Sequence, residues 1–201
     1  MNESKLIVIS GGPGAGKTTL LEELRRRDYT CSAEVARQII QEQVASDGRA
    51  VPWDDREEYS KLMLLRSIDS WQQYAAAQGT IFFDRGIPDT LCYVRLVGLS
   101  PQLEQQLEEA CRRYRYWPRV FLAPPWQEIY ETDGERKQDF AEAVRTYDQM
   151  IRTYLDCGYQ VVPLPLVSVQ ERADFIRQEI AKPSLRVKKR QVARLDLVFA
   201  A

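Results

Sequence analysis

Strands alternating with helices along the chain predict a doubly wound α/β sheet with helices on both faces. Three observations carry that prediction. Short runs such as KLIVIS, TIFFD and RVFLA are apolar without alternation, as strands buried on both faces of a parallel sheet must be. The segments between the runs repeat apolar residues three and four apart, the period of one helix face. Gly, Pro, Asp and Ser cluster where the chain has to change direction.

KLIVIS (5–10) is the first strand, and its glycine-rich end leads into KTTLLEELRRR, a helix with Leu20, Leu21 and Leu24 on one face. YTC (29–31) reads as a second, shorter strand. AEVARQIIQEQV then offers Val35, Ile39 and Ile40 at helical spacing and stops at Ser46-Asp47-Gly48. A long helix is expected over 55–77, with Leu62, Leu65, Ile68, Trp71 and Ala75 inward and Gly79 beyond its end. TIFFD (80–84) is the third strand. No element is assigned between Arg85 and Leu99. Ser100 as N-cap and Pro101 at the first helical position open a helix over 101–113. RVFLA (119–123) is the fourth strand, closed by Pro124-Pro125. A helix over 136–156 carries Phe140, Val144, Tyr147, Ile151 and Leu155 on one stripe, with Gly158 as its C-cap. YQVVPL (159–164) is the fifth strand, and Ser168 caps a last helix with Val169, Ala173, Ile176 and Ile180 inward.

The 201 residues suit one domain, taken as 1–181, followed by a basic tail, 182–201, that contains Lys188-Lys189-Arg190. The tail reads as a peripheral end or as a contact for a second subunit or an anionic partner. A net charge of −1 gives no bulk attraction for nucleic acid. No run approaches the ~20 apolar residues a bilayer span needs, and the short apolar N-terminus lacks the length of a signal peptide, so a cytoplasmic protein is expected. There is no histidine, which excludes every His-based mechanism. The four cysteines form no C-x-x-C pair, which argues against zinc and for reduced, buried thiols.

The chemistry is concentrated in GGPGAGKTT. Gly11, Gly12, Pro13, Gly14, Ala15, Gly16, Lys17 and Thr18 satisfy G-x-x-x-x-G-K-[ST] between a buried strand and a helix, the context that confirms a P-loop. A chance match in a chain of this length is on the order of one in a hundred before that context is counted. Backbone N–H groups of such a loop, with the helix N-terminus behind them, cradle phosphates. Lys17 is expected on the β and γ phosphates, Thr18 on Mg²⁺, and Thr19 as a second oxygen nearby.

Motors, switches and kinases all use this grip, and the rest of the chain separates them. Asp84 at the end of the third strand is followed by Arg85, not by the glutamate that activates water in a motor. The pair suits a phosphotransferase: Asp84 can order the water shell of Mg²⁺ or accept a hydroxyl proton, and Arg85 can anchor an anionic group. Asp89 is a weaker candidate, equally suited to capping. No N-K-x-D motif marks a guanine switch. Glu34 and Arg37 follow the second strand, where a doubly wound sheet has its ligand crevice. They form either an acceptor site, with Glu34 as base, or a surface ion pair. WQEIYETDGERKQDF, after the fourth strand, is placed to be a lid that brings Arg136, with Lys137, over the γ-phosphate, or else a solvated helix start. Trp53, Tyr59 and Trp71 line an aromatic acceptor pocket or belong to the core.

The P-loop together with SAEVAR, FFDRGIPD, VFLAPPWQ, TDGERKQDF and CGYQVVPLP resembles the family of predicted ATPases and kinases named AAA-type domain 28, which is similar to the ribosylnicotinamide kinase domain of NadR proteins. The resemblance runs from about residue 5 to 180, and DRG with Trp126, Asp133, Gly134 and Arg136 is its more specific part. It implies a nucleotide-kinase P-loop fold with strand order 2-3-1-4-5 and a helical lid, ATP with Mg²⁺ (GTP as the alternative), and a small acceptor. It adds weight to Glu34, Arg37, Asp84, Arg85 and Arg136 as site residues. The chain lacks an adenylyltransferase domain, and its loop carries no serine. The expectation is an ATP-dependent kinase of a nucleoside-, nucleotide- or vitamin-like acceptor; the rival is a regulatory nucleotide-binding module that signals through the lid or tail.

Overall fold

The structure is a computed structural model that describes residues 5–129 and 140–182. Five strands form one parallel sheet in the order β2-β3-β1-β4-β5: β1 Lys5–Gly11, β2 Thr30–Cys31, β3 Thr80–Asp84, β4 Arg119–Ala123 and β5 Gln160–Pro163. The order is the expected one. Helices α1 Lys17–Arg26 and α7 Val169–Ala181 cover one face. The other face carries α3 Arg56–Ala75, α4 Ile87–Val97, α5 Pro101–Arg113 and α6 Phe140–Asp156, while α2 Val35–Ala45 packs on α3.

Burial on both faces explains why β1 reads as an unbroken apolar run. Leu6 and Val8 enter the core beneath α3 to α6, and Ile7 and Ile9 enter the core beneath α1 and α7. Pairing then sets the site. Ile9 stands opposite Asp84 of β3 and Phe121 of β4, so the carboxylate at the end of β3 lies beside the start of the phosphate loop. Gly11 pairs with Ala123 so closely that a Cβ on it would lie 2.6 Å from the Ala123 carbonyl oxygen, and its φ is +143°; only glycine fits.

Four expectations change. Residues 87–97, left unassigned, are α4, wedged among α3, α5 and α6. Ile87, Pro88, Asp89, Thr90, Leu91, Cys92 and Val94 are all buried, so no polar stripe exists to give the 3.6-residue signal, and the Gly86-Ile87-Pro88 start looks like a loop. On α6 the buried residues are Ala143, Met150, Thr153 and Tyr154; of the expected stripe Tyr147 and Ile151 pack half-buried on the core, whereas Leu155 is 46% exposed and Val144 faces outward too. The helix is rotated because the Tyr154 hydroxyl has a buried carboxylate to meet, described below. On α3, Tyr59, Met63 and Leu64 are buried and Leu65 is exposed, while the expected Leu62, Ile68 and Trp71 pack half-buried against the core. Ser100 occupies the N-cap of α5, but its hydroxyl donates to Glu57 Oε1 (3.4 Å) and makes no cap bond. Ser168, by contrast, caps α7 with a reciprocal Glu171 contact.

The four cysteines are free; Cys92 and Cys111 are buried, Cys31 and Cys157 half-buried. Among the described residues no helix is long and apolar enough to cross a membrane. The tail 183–201 and the expected lid residues Asp133, Gly134, Arg136 and Lys137 lie outside the described residues.

Candidate active site

The loop between β1 and α1 turns through Gly14 and Gly16, both at φ 75°, and Gly16 is the N-cap of α1. Lys17 is buried and donates from Nζ to the carbonyls of Gly11 (2.8 Å) and Gly12 (3.0 Å). Burial, with Arg85 adding to it, brings the Lys17 pKa down to about 8, against the pull of Asp84, Glu34 and Asp89. Bound phosphate would restore the charge. Thr18 is exposed on the cleft side of the first turn. The Thr19 hydroxyl donates back to the Gly16 carbonyl (3.2 Å), and the residue lies off the cleft wall.

A cleft of about 1480 Å³ opens beside the loop. At its sheet end lie Lys17, Thr18, Glu34, Asp84, Arg85 and Asp89. Glu34 holds the N-cap position of α2 without capping it; its Oε1 accepts from Arg85 Nε at 3.0 Å. Of the two alternatives for Glu34 and Arg37, the ion pair is not formed; Glu34 pairs with Arg85, and Arg37 stands exposed at the rim of the cleft. Burial works to raise the Glu34 pKa, yet Arg85, Lys17 and Arg37 outweigh it and hold the carboxyl below its usual range. Arg85 is likewise kept charged: burial opposes the charge, but Asp89 and Glu34 prevail. The arginine adopts φ 69°, a left-handed conformation rare for a residue with a Cβ.

Asp84 behaves in the opposite way. Burial is the main cause that raises its pKa, and its Oδ1 is buried with no hydrogen-bond partner. An orphaned carboxylate oxygen and the hydroxyl of Thr18, which lines the same cleft, are hard oxygen donors, a chemistry that fits Mg²⁺. Bound there, the ion would neutralise charge on the phosphates.

Asp89 proves to be a structural hub. Its carboxylate accepts from the Ser10 hydroxyl, the Tyr154 hydroxyl and the Gly86 N–H (2.8 Å), and lies 3.6 Å from Arg85 Nη1. It therefore caps α4 and ties β1, α4 and α6 behind Arg85. The sequence offered one sign of this, an aspartate three residues into a segment that opens with Gly86.

The helical end of the cleft mixes polar side chains, Ser67 and Ser70 of α3 and Glu142, Arg145 and Thr146 of α6, with apolar ones. Ile40, Val44, Trp53, Met63 and Leu96 line it, and Val44, Trp53 and Leu96 are exposed large hydrophobics. The three aromatic candidates separate: Trp53 is 66% exposed on the cleft wall, Tyr59 is core with an edge on the cleft, and Trp71 packs on Tyr114 and donates to the Arg115 carbonyl.

The family model described as AAA domain, AAA-type domain 28, matches residues 6–172. A guanylate kinase of Synechococcus sp. (strain JA-3-3Ab) is 30% identical over 163 residues, 76% of this chain and 70% of that protein. A guanylate kinase of Thermobifida fusca (strain YX) is 29% identical over 188 residues, 90% of this chain and 92% of that one. Among solved structures, NadR protein in complex with NR superposes with a TM-score of 0.67 at 20% identity over 92% of this chain; this chain spans about half, 53%, of that one. Thymidylate kinase from Candida albicans gives 0.61 at 15% identity, covering 89% of this chain and 91% of that one. These two likenesses speak for the fold. With a phosphate loop, an Asp84-Arg85 strand end and a match over most of its length, the chain belongs to the AAA domain family and is a P-loop kinase.

Proposed function

We propose that the protein transfers the γ-phosphoryl group of ATP to a hydroxyl of a small, nucleoside-type acceptor. The observation that carries this reading is the Glu34 carboxylate, held ionised by Arg85 on the wall of a cleft that also contains Lys17. A phosphoryl transfer of this kind relies mainly on positioning and electrostatics. In it, the acceptor oxygen forms a bond to the γ-phosphorus while the bond to the β–γ bridging oxygen breaks. The hydroxyl proton passes to a carboxylate, and ADP leaves. Glu34 orients the hydroxyl and takes the proton; Asp84, with its free oxygen, serves the Mg²⁺ shell. Lys17 follows the charge on the phosphates, and Arg37 holds a polar group of the acceptor at the rim.

Arg85 donates to Glu34 and lies 3.6 Å from Asp89, so its charge is offset by two carboxylates, which favours a neutral hydroxyl over an acceptor phosphate. A second reading, a nucleoside monophosphate as acceptor with Arg37 on its phosphate, draws support from the two guanylate kinases. ADP release from ATP·Mg²⁺ is measured with a panel of nucleosides, nucleotides and vitamin precursors, with products identified by mass. A phosphorylated nucleoside is the expected result. Phosphorylated GMP would establish the second reading, and slow acceptor-independent release of phosphate would overturn both. Glu34→Gln should lower kcat about 100-fold with little change in ATP affinity.

A further inference from the structure

A buried guanidinium lies directly behind the phosphate loop. Arg172 of α7 is 2% exposed, and among the described residues no carboxylate pairs with it. Its Nε donates to the Pro165 carbonyl (3.1 Å), its Nη1 donates to the Ala15 carbonyl (3.1 Å), and its Nη2 is buried without a partner. The Trp126 ring covers it at 4.9 Å from Cζ. Burying a cation without a counter-charge is costly, and an apolar side chain would fill the same place against the core at no such cost. Nothing in the packing of α7 calls for a charge here: Val169, Ala173 and Ile176 on the same face are apolar.

What the charge touches is the loop that grips phosphate. Ala15 sits between the two turning glycines, and the peptide joining it to Gly16 is trans, since the described chain has no cis bond. In a trans peptide the carbonyl and the following N–H point in opposite directions. The Ala15 carbonyl faces α7, so the Gly16 N–H faces away from α7, toward the side on which Gly14, Lys17 and Thr18 line the cleft. Among the described residues the Gly16 N–H has no acceptor. A cationic donor on the carbonyl also polarises the peptide and makes its N–H a better donor.

We propose that Arg172 is a positioning residue for the donor nucleotide: it pins the Ala15 carbonyl against α7 and thereby fixes and strengthens the Gly16 N–H as a phosphate ligand. The proposal rests on the reading of Gly11–Thr18 as the phosphate seat. Trp126 completes the device by keeping water off the guanidinium and linking the segment after β4 to the loop.

The test is calorimetric titration of ADP into the full chain and into Arg172→Gln, Arg172→Lys and, as a control, Arg177→Gln, an exposed arginine on the same helix. Arg172→Gln should bind ADP about tenfold more weakly, a loss of ~1.4 kcal/mol. Arg172→Lys should recover part of the loss, methylguanidinium should recover part of it in the Gln variant, and Arg177→Gln should match the parent chain. The Gly16 amide proton should shift downfield on ADP binding in the parent and much less in Arg172→Gln, a signature that a purely structural role would leave unchanged. If Arg172→Gln does not fold, Arg172→Lys is read by the same amide shift. A folded variant with parental ADP affinity and an undiminished Gly16 shift overturns the proposal alone. Failure of the parent chain to bind ADP overturns the phosphate seat, and this proposal with it.

Discussion

The two ends of the cleft are built on different principles. At the sheet end a single short stretch, Gly11–Thr18, supplies backbone groups, and its neighbours Glu34, Asp84 and Arg85 are locked to one another or buried. At the helical end the wall is assembled from α2, the loop at 52–53, α3 and α4, with side chains such as Val44, Trp53 and Leu96 standing exposed. On the proposed reading the sheet end holds the donor through backbone geometry and charge, and the helical end receives the acceptor on a wall where large apolar side chains stand exposed.

The largest effect expected from this contrast is at Lys17. Lys17→Ala should lower turnover about 1,000-fold or more, with an unchanged far-UV circular dichroism spectrum; full activity would remove the donor end from its assigned place. Next comes Gly11→Ala. The new methyl would meet the Ala123 carbonyl at 2.6 Å on a backbone of φ +143°, so a loss of about 3 kcal/mol in urea unfolding is expected. A loss below 1 kcal/mol would show that β1 and β4 separate easily there.

A smaller effect follows from the Lys17 pKa of about 8. The pKa is lowered in the free protein and raised by bound phosphate, so binding takes up a proton once the pH exceeds about 8. ADP affinity should therefore hold steady from about pH 7 to 8 and fall by up to about tenfold per pH unit above it. The same titration on Lys17→Arg should lose this dependence. The smallest effect belongs to the other end: Trp53→Ala should raise the acceptor KM a few-fold, leave ADP affinity unchanged and shift stability by less than about 0.5 kcal/mol. A loss of stability as large as that of Gly11→Ala would abolish the contrast.

The same contrast governs what could be read from the sequence. The phosphate grip is local, so GGPGAGKTT announced it, and Asp84-Arg85 was legible because a strand end fixes where its side chains go. Glu34 was found as a position, with an acceptor site or an ion pair to Arg37 as alternatives, but its pairing with Arg85 was not, because that pairing crosses 51 residues. Helix α4 escaped because its first six residues are all buried and give no alternation of polar and apolar faces, and the α6 stripe was misread in part because Tyr154 buries its ring against Asp89. Arg172 was passed over, although a charge on the face shared by Val169, Ala173 and Ile176 was a visible anomaly. The acceptor wall depended on the packing of 47–77 against α4, and no periodicity encodes which exposed side chains share a cleft.

Arg85 carries a consequence for directed evolution. Its left-handed backbone costs about 1 kcal/mol, which glycine would not incur, while its guanidinium keeps Glu34 ionised. Relieving that backbone with Arg85→Gly would strip the counter-charge from Glu34 and from the buried Asp89, so a screen for thermal tolerance would reject the glycine. Backbone strain and ion pairing are opposed at this one position, and the ion pairs decide the residue.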